Sequence, residues 1–278
     1  MKPFTIWILS TSCLILIFTS CTKFEVGYQL APRYISNQLD DAFDFKSKRL
    51  KEIRAQLNID FQKNHKDIAL LVIKHIDEFL ALAEKKSVSA NDFKINLDSI
   101  YSSRKQLNTL FKPSVDIVLL NLSSEEVKNL NTFSLKKFKE SDEKILEQKE
   151  FVKKQLKTFQ KIMDFLVDGA SDNQDQIYKD FVVKNYNYFL TQEEERKTFL
   201  KKFYVLFTNK PELVTYVLNY YSGIVSAQSL EYQKEHVAFL SALYDVEFKV
   251  WQSLSEKQKK AFRKNLKELR DEVLPVSR

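Results

Sequence analysis

Residues 123–168 read SSEEVKNLNTFSLKKFKESDEKILEQKEFVKKQLKTFQKIMDFLVD. Phe138, Ile145, Val152, Phe159 and Leu166 recur every seven residues, and Leu156 and Met163 add a neighbouring seam. Seven residues are close to two helical turns, so these side chains share one face of an α-helix. Between them lies Lys139-Glu140-Ser141-Asp142-Glu143-Lys144, which is almost wholly polar. So narrow a stripe reads either as a coiled-coil arm that protrudes or as a helix buried on one side only. The spacing predicts one long helix over about 123–168. Gly169 lies just past its end and supplies the left-handed conformation that stops a helix.

The flanking segments carry the same periodicity. Leu50, Ile53, Leu57 and Phe61 step by three and four, with Asp44 placed to cap their helix. A further helix carries Ile68, Leu71, Val72, His75, Ile76 and Phe79. Lys85-Lys86 suits its C-terminal end, where cations meet the helix dipole. Ser89 or Asn91 opens the next, which Pro113 breaks. Residues 172–189, 191–208, 212–231, 234–252 and 255–273 continue as helices, and Gly223 interrupts or kinks one of them. Pro32 suits a helix start better than an interior. Only three Gly and five Pro serve 278 residues, too few for the tight turns of a sheet-rich fold. The fold class expected is all-α, a multi-helix bundle without a sheet.

Four predicted helix starts share one pattern: an apolar residue, a hydroxyl, two spacers and an amide or carboxylate. They pair Ser123 with Glu126, Ser171 with Gln174, Thr191 with Glu194 and Ser255 with Gln258. This is the capping box, in which the hydroxyl accepts from the backbone N–H three residues on and the Glu or Gln reaches back to the cap's own N–H. Each cap is worth about 1 kcal/mol.

The N-terminus carries the other signal. Lys2 precedes an apolar stretch from Phe4 to Phe18, followed by Thr19-Ser20-Cys21. A basic start, a short apolar run and small residues before a cut are the layout of a secretory signal peptide. The run is short of the roughly 20 apolar residues a membrane-spanning helix needs. Phe18-Thr19-Ser20-Cys21 resembles a bacterial lipobox, with Phe18 where an aliphatic residue is usual. The resemblance implies cleavage before Cys21, with a diacylglycerol on its sulfur and an acyl chain on its amine. Thr22, in place of the Asp that retains such proteins at the inner membrane, implies the outer membrane. The organisation expected is a signal peptide over 1–20, an anchor and aromatic tether over 21–43, and a helical domain over 44–278. Cys13 leaves with the signal, so no disulfide or thiolate metal site remains to the mature chain.

Two further resemblances attach to the helix starts. The pattern is similar to the Leu-Thr-x-x-Gln motif of the small, dimeric, Spy-like periplasmic chaperones, with Ala170 in place of Leu at one start. Across the mature chain, the lipobox cysteine, Leu39-Asp40-Asp41-Ala42-Phe43, the helix of Leu50, Ile53 and Leu57, and Gly169-Ala170-Ser171-Asp172-Asn173-Gln174 are similar to a family of bacterial lipoproteins of unknown function. That resemblance implies an all-helical fold and brings no catalytic residues.

Catalytic and metal signatures are missing. His65 and His75 lack ligand spacing, and His236 lacks a paired Glu-x-x-His repeat. Three glycines cannot build phosphate-cradling loops. Asp40 and Asp41 read first as a cap and turn, and second as a weak candidate for a polar binding contact. Tyr186, Tyr188 and Phe189, and Tyr216, Tyr220 and Tyr221, read as core, with a ligand groove as the alternative. The net charge of +7 comes from interleaved signs, the pattern of solvated helix faces and not of a nucleic-acid patch. The expectation is a non-enzymatic envelope protein without cofactor, held to a membrane by its lipid. It would bind or scaffold a protein partner at the outer membrane, facing the periplasm. A holdase-like chaperone, an enzyme of unrecognised type and a carrier of lipid or another hydrophobic ligand are the alternatives.

Overall fold

The computed structural model describes residues 24–277. The signal segment 1–20 and Cys21 lie outside the described residues. Among the described residues the fold is all-α, with eleven α-helices, short 3-10 turns and no strand. The helices are α1 (Phe24–Phe43), α2 (Ser47–Glu84), α3 (Ala90–Leu110), α4 (Lys112–Leu119), α5 (Ser124–Leu146), α6 (Gln148–Val167), α7 (Asp172–Lys184), α8 (Tyr186–Leu206), α9 (Lys210–Tyr221), α10 (Leu230–Gln252) and α11 (Glu256–Val273).

The chain divides into two units. The first takes the described residues up to Ile68, with Ser102–Asp142 and Glu193–Ser229. The second takes Ala69–Tyr101, Glu143–Gln192 and everything from Leu230 on. The aromatic stretch within 21–43, whose apolar spacing is helical, forms α1 (Phe24–Phe43) within the first unit.

In the first unit Ile53 and Leu213 are fully buried, and Leu57, Phe61, Val118, Leu119 and Leu130 join the core. Each such side chain contributes about 1.5–3 kcal/mol by leaving water. Polar side chains close the helix ends. Pro113 starts α4, whose N-cap Phe111 offers no side-chain acceptor. Asp60, 2 % exposed on α2, supplies it, accepting from the Ser114 N–H at 2.9 Å and the Ser114 hydroxyl at 2.6 Å. Asn64 donates to the Leu110 carbonyl, the last of α3, at 2.8 Å. Glu126 closes its box on the Ser123 N–H at 2.7 Å and pairs with Arg49 Nε at 2.8 Å.

In the second unit α6 packs on α7 and α11, and α7 on α10. Ile145, Phe151, Val152, Phe181, Val182 and Val246 form its buried cluster. Ser171 caps α7 and Ser255 caps α11, both with complete boxes.

Several expectations are corrected. Residues 123–168 form two helices, because Glu147 leaves helical geometry at φ −86° and ψ 75°. The Tyr186 hydroxyl donates to the Ile145 carbonyl, and a side chain inserted into the helical ladder is a recognised cause of a break. The second of these helices is no free arm, since Phe151, Val152, Phe159, Met163 and Val167 are all buried. Conversely, α2 runs unbroken where two helices were expected, with no Gly or Pro in its span. Pro32 sits inside α1. Asp44 is no N-cap: its φ of 52° makes it the left-handed residue that follows α1. Asp168 takes the left-handed position at the end of α6, with Gly169 at φ 119° behind it. Thr191 and Glu194 form no box, because they lie inside α8. There Thr191 donates to the Asn187 carbonyl at 3.2 Å and Glu194 pairs with Lys197. The helix starts five residues earlier, at Tyr186, after the single linking residue Asn185.

Candidate ligand cavity

The first unit forms an apolar cavity of about 490 Å³ that is partly open to solvent, where Leu30 and Tyr34 are exposed. Its wall from α1 carries Tyr28, Ala31, Tyr34, Ile35 and Leu39. Facing it are Leu57 and Phe61 from α2, Leu107 from α3, Val115 and Val118 from α4, Leu130, Phe133 and Phe138 from α5, Phe199, Leu200 and Phe203 from α8, and Leu218, Tyr220 and Tyr221 from α9. The volume lies within the ~300–1,000 Å³ of small-molecule sites, which are mostly apolar with a few placed polar groups. The local cause is helical spacing. Phe199, Leu200 and Phe203 recur on one face of α8, and Phe199 meets Tyr220 at 4.3 Å between ring centroids. Tyr28 is fixed by donating to the Phe61 carbonyl at 2.5 Å and by an edge contact with the Phe61 ring.

Most polar groups on the wall are already engaged. Ser114 binds Asp60, and Asn108 donates to the Ser222 hydroxyl at 3.0 Å. Lys137 pairs with Glu140 at 3.1 Å. Two carboxylates on α8 contrast with each other. Glu195 is 3 % exposed and accepts from the Ser229 N–H on both oxygens at 3.3 Å; burial pushes its carboxyl up. Glu193 lines the cavity, pairs with Arg196 through Oε1, and leaves buried Oε2 without a partner. In the sequence Glu193 figures only as a spacer of the box expected between Thr191 and Glu194. The signal lay in its register: Glu193, Arg196, Leu200 and Phe203 step by three and four along one face.

A second cleft, of about 470 Å³, lies in the second unit and is polar, lined by Lys85, Lys86, Trp251, Lys259 and Arg263. Its charges are partly satisfied. Lys85 pairs with Asp92 at 2.7 Å, Lys259 with Glu256 at 3.0 Å, and Arg263 donates to the Ala83 carbonyl at 3.3 Å. The Lys85 ammonium, with hydrogen bonds from Ser89, holds Asp92 down at about 2.

The remaining candidates fall in structural roles. Asp40 accepts from the Phe45 N–H at 3.0 Å, which fixes the turn after α1, while Asp41 is exposed. His75 meets Glu78 at 2.9 Å, His65 meets the Gln62 carbonyl, and His236 meets the Tyr188 hydroxyl at 2.7 Å. Of the aromatic runs, Tyr188 stacks on Phe239 with centroids 3.9 Å apart in the second unit, whereas Tyr220 and Tyr221 face the cavity. Among the described residues no group of His, Cys, Asp or Glu is placed to hold a metal. No helix among them is long and apolar enough to cross a membrane. Comparison with protein-family models, with curated proteins and with solved structures finds no match to this chain.

Proposed function

We propose that this chain is a lipid-anchored envelope protein that binds and carries an elongated apolar ligand, such as the acyl chain of a lipid, and is not an enzyme. The observation that carries the reading is the cavity of the first unit, about 490 Å³ and apolar on nearly every wall. Water in such a space makes few hydrogen bonds, so an apolar occupant gains the hydrophobic transfer energy of about 25 cal/mol per Å² it buries. The signal layout and Cys21 support an envelope address, with the outer membrane as the expected site. Lipid chains there would confine the domain to a thin layer beside the bilayer and raise its effective concentration for lipid and for protein partners. The lipobox resemblance supports the same address.

The test is photolabelling of the full chain in membranes with a diazirine-bearing alkyl probe, followed by peptide mapping. Binding predicts adducts on cavity residues such as Leu200, Phe203 and Phe111, and their loss in Ala31→Phe, which fills the space from α1. Adducts confined to exposed apolar side chains such as Val205 and Val237 would refute the reading.

A further inference from the structure

We propose that Glu193 and Arg196 select the head group of the cavity's ligand, and that this ligand is a single-chain amphiphile with an uncharged, hydrogen-bond-donating head, a hydroxyl. The inference rests on the ligand-binding reading above and adds the chemistry of the polar end.

Glu193 is 7 % exposed and lines an otherwise apolar chamber. Arg196, one turn on, donates to its Oε1. Its Oε2 is buried and has no donor. A buried acceptor left unmade carries its full desolvation penalty, and native folds rarely keep one without a use. The Arg196 guanidinium already balances the carboxylate, so the site does not call for a cationic ligand. A carboxylate head would set a like charge beside Glu193. A methyl ether or ester would face the orphan oxygen with a second acceptor. A hydroxyl supplies the one missing donor and adds no charge. Phe199, Leu200 and Phe203 continue from Glu193 along α8, so a chain extending from that hydroxyl meets apolar wall.

The experiment uses the full chain in membranes and two photoreactive probes of equal chain length, a long-chain alcohol and its methyl ether. One charge-assisted hydrogen bond favours the alcohol by on the order of tenfold or more. In Glu193→Gln the amide oxygen stays on Arg196 and an NH₂ replaces the orphan acceptor. Alcohol labelling then falls and the alcohol-to-ether ratio drops to about one, while the ether, which never made the bond, still labels the cavity. Equal labelling in the parent chain overturns the head-group assignment alone and leaves Oε2 to an ordered water. A ratio unchanged in Glu193→Gln overturns it as well. Failure of both probes to label the cavity defeats the binding reading itself. The parent-chain ratio remains decisive should the variant lose helicity by circular dichroism.

Discussion

Gln174 and Gln258 clasp each other through their side-chain amides. Each Nε2 donates to the other's Oε1, at 3.1 and 3.0 Å. Each Oε1 also accepts from its own cap, Ser171 N–H at 2.8 Å and Ser255 N–H at 3.0 Å. Each Nε2 also donates to the carbonyl five residues before the opposite glutamine, Ser253 at 3.2 Å and Gly169 at 2.9 Å. Two capping boxes thereby lock the starts of α7 and α11 together, and every donor and acceptor of the two amides is used. Gln174 is fully buried, so the clasp is tolerated only because it is complete.

Gln174→Ala breaks the clasp: both of its bonds with Gln258 are lost, and the Ser253 carbonyl and the Ser171 N–H lose the partners Gln174 supplied. The expected loss is about 2–4 kcal/mol, a cap plus one unsatisfied buried group. Chemical denaturation of Gln174→Ala, Gln258→Ala and the double variant gives the coupling, expected at about 0.5–3 kcal/mol. Strict additivity would show that the two amides act separately.

Asp60→Ala removes the carboxylate that caps the start of α4 and leaves the Ser114 N–H and hydroxyl without it. The expected cost is about 2–3 kcal/mol, the size of a hydrogen bond to a charged group. Exchange protection of the α4 amides should fall further than that of α11. Equal loss in both helices would contradict a local capping role.

Glu247 gives the second unit a pH dependence. Burial pushes its carboxyl up to about 8 from 4.5; burial first, and the Glu247 charge second, push the Tyr178 phenol up to about 12. The folded state therefore holds a proton that the unfolded chain releases, and stability falls as pH rises from about 4.5 through about 8. Glu247→Gln should flatten that slope and stabilise the protein at pH above 8. Asp92 acts with the opposite sign: its contribution is present above 3.8 and is lost as pH falls through about 2. Thermal melts across pH, with and without Glu247→Gln, check both directions.

Cys21→Ser should block lipid attachment and processing at the lipobox and move the protein out of the membrane fraction. Metabolic labelling with palmitate reads the modification directly. Undiminished labelling and sedimentation of the variant would contradict the anchor.

The helices were legible wherever the code is local. The boxes at Ser171 and Ser255 rest on contacts three residues apart, and the paucity of Gly and Pro excluded a sheet. What the sequence hid depends on distant partners. The break at Glu147 needs Tyr186 on the Ile145 carbonyl. Thr191 has the pattern of a cap yet lies within α8, because Asn185 turns the chain first and donates to the Phe181 carbonyl at 2.8 Å. The box of Ser89 with Asp92 was missed because Asp stands where Glu or Gln was sought. The cavity was hidden for a different reason. Phe203, Leu200 and Tyr220 have the spacing of core residues whether their far side meets protein or open space. Only the buried Glu193, paired with half-buried Arg196 in their register, set this stripe apart.

Native mass spectrometry of the full chain, extracted gently from its membrane, tests the central claim most directly. The account predicts a population carrying one additional lipid-sized mass, absent from Ala31→Phe and released as a single-chain amphiphile. A chain that carries no such mass, or carries it equally in Ala31→Phe, would contradict the claim.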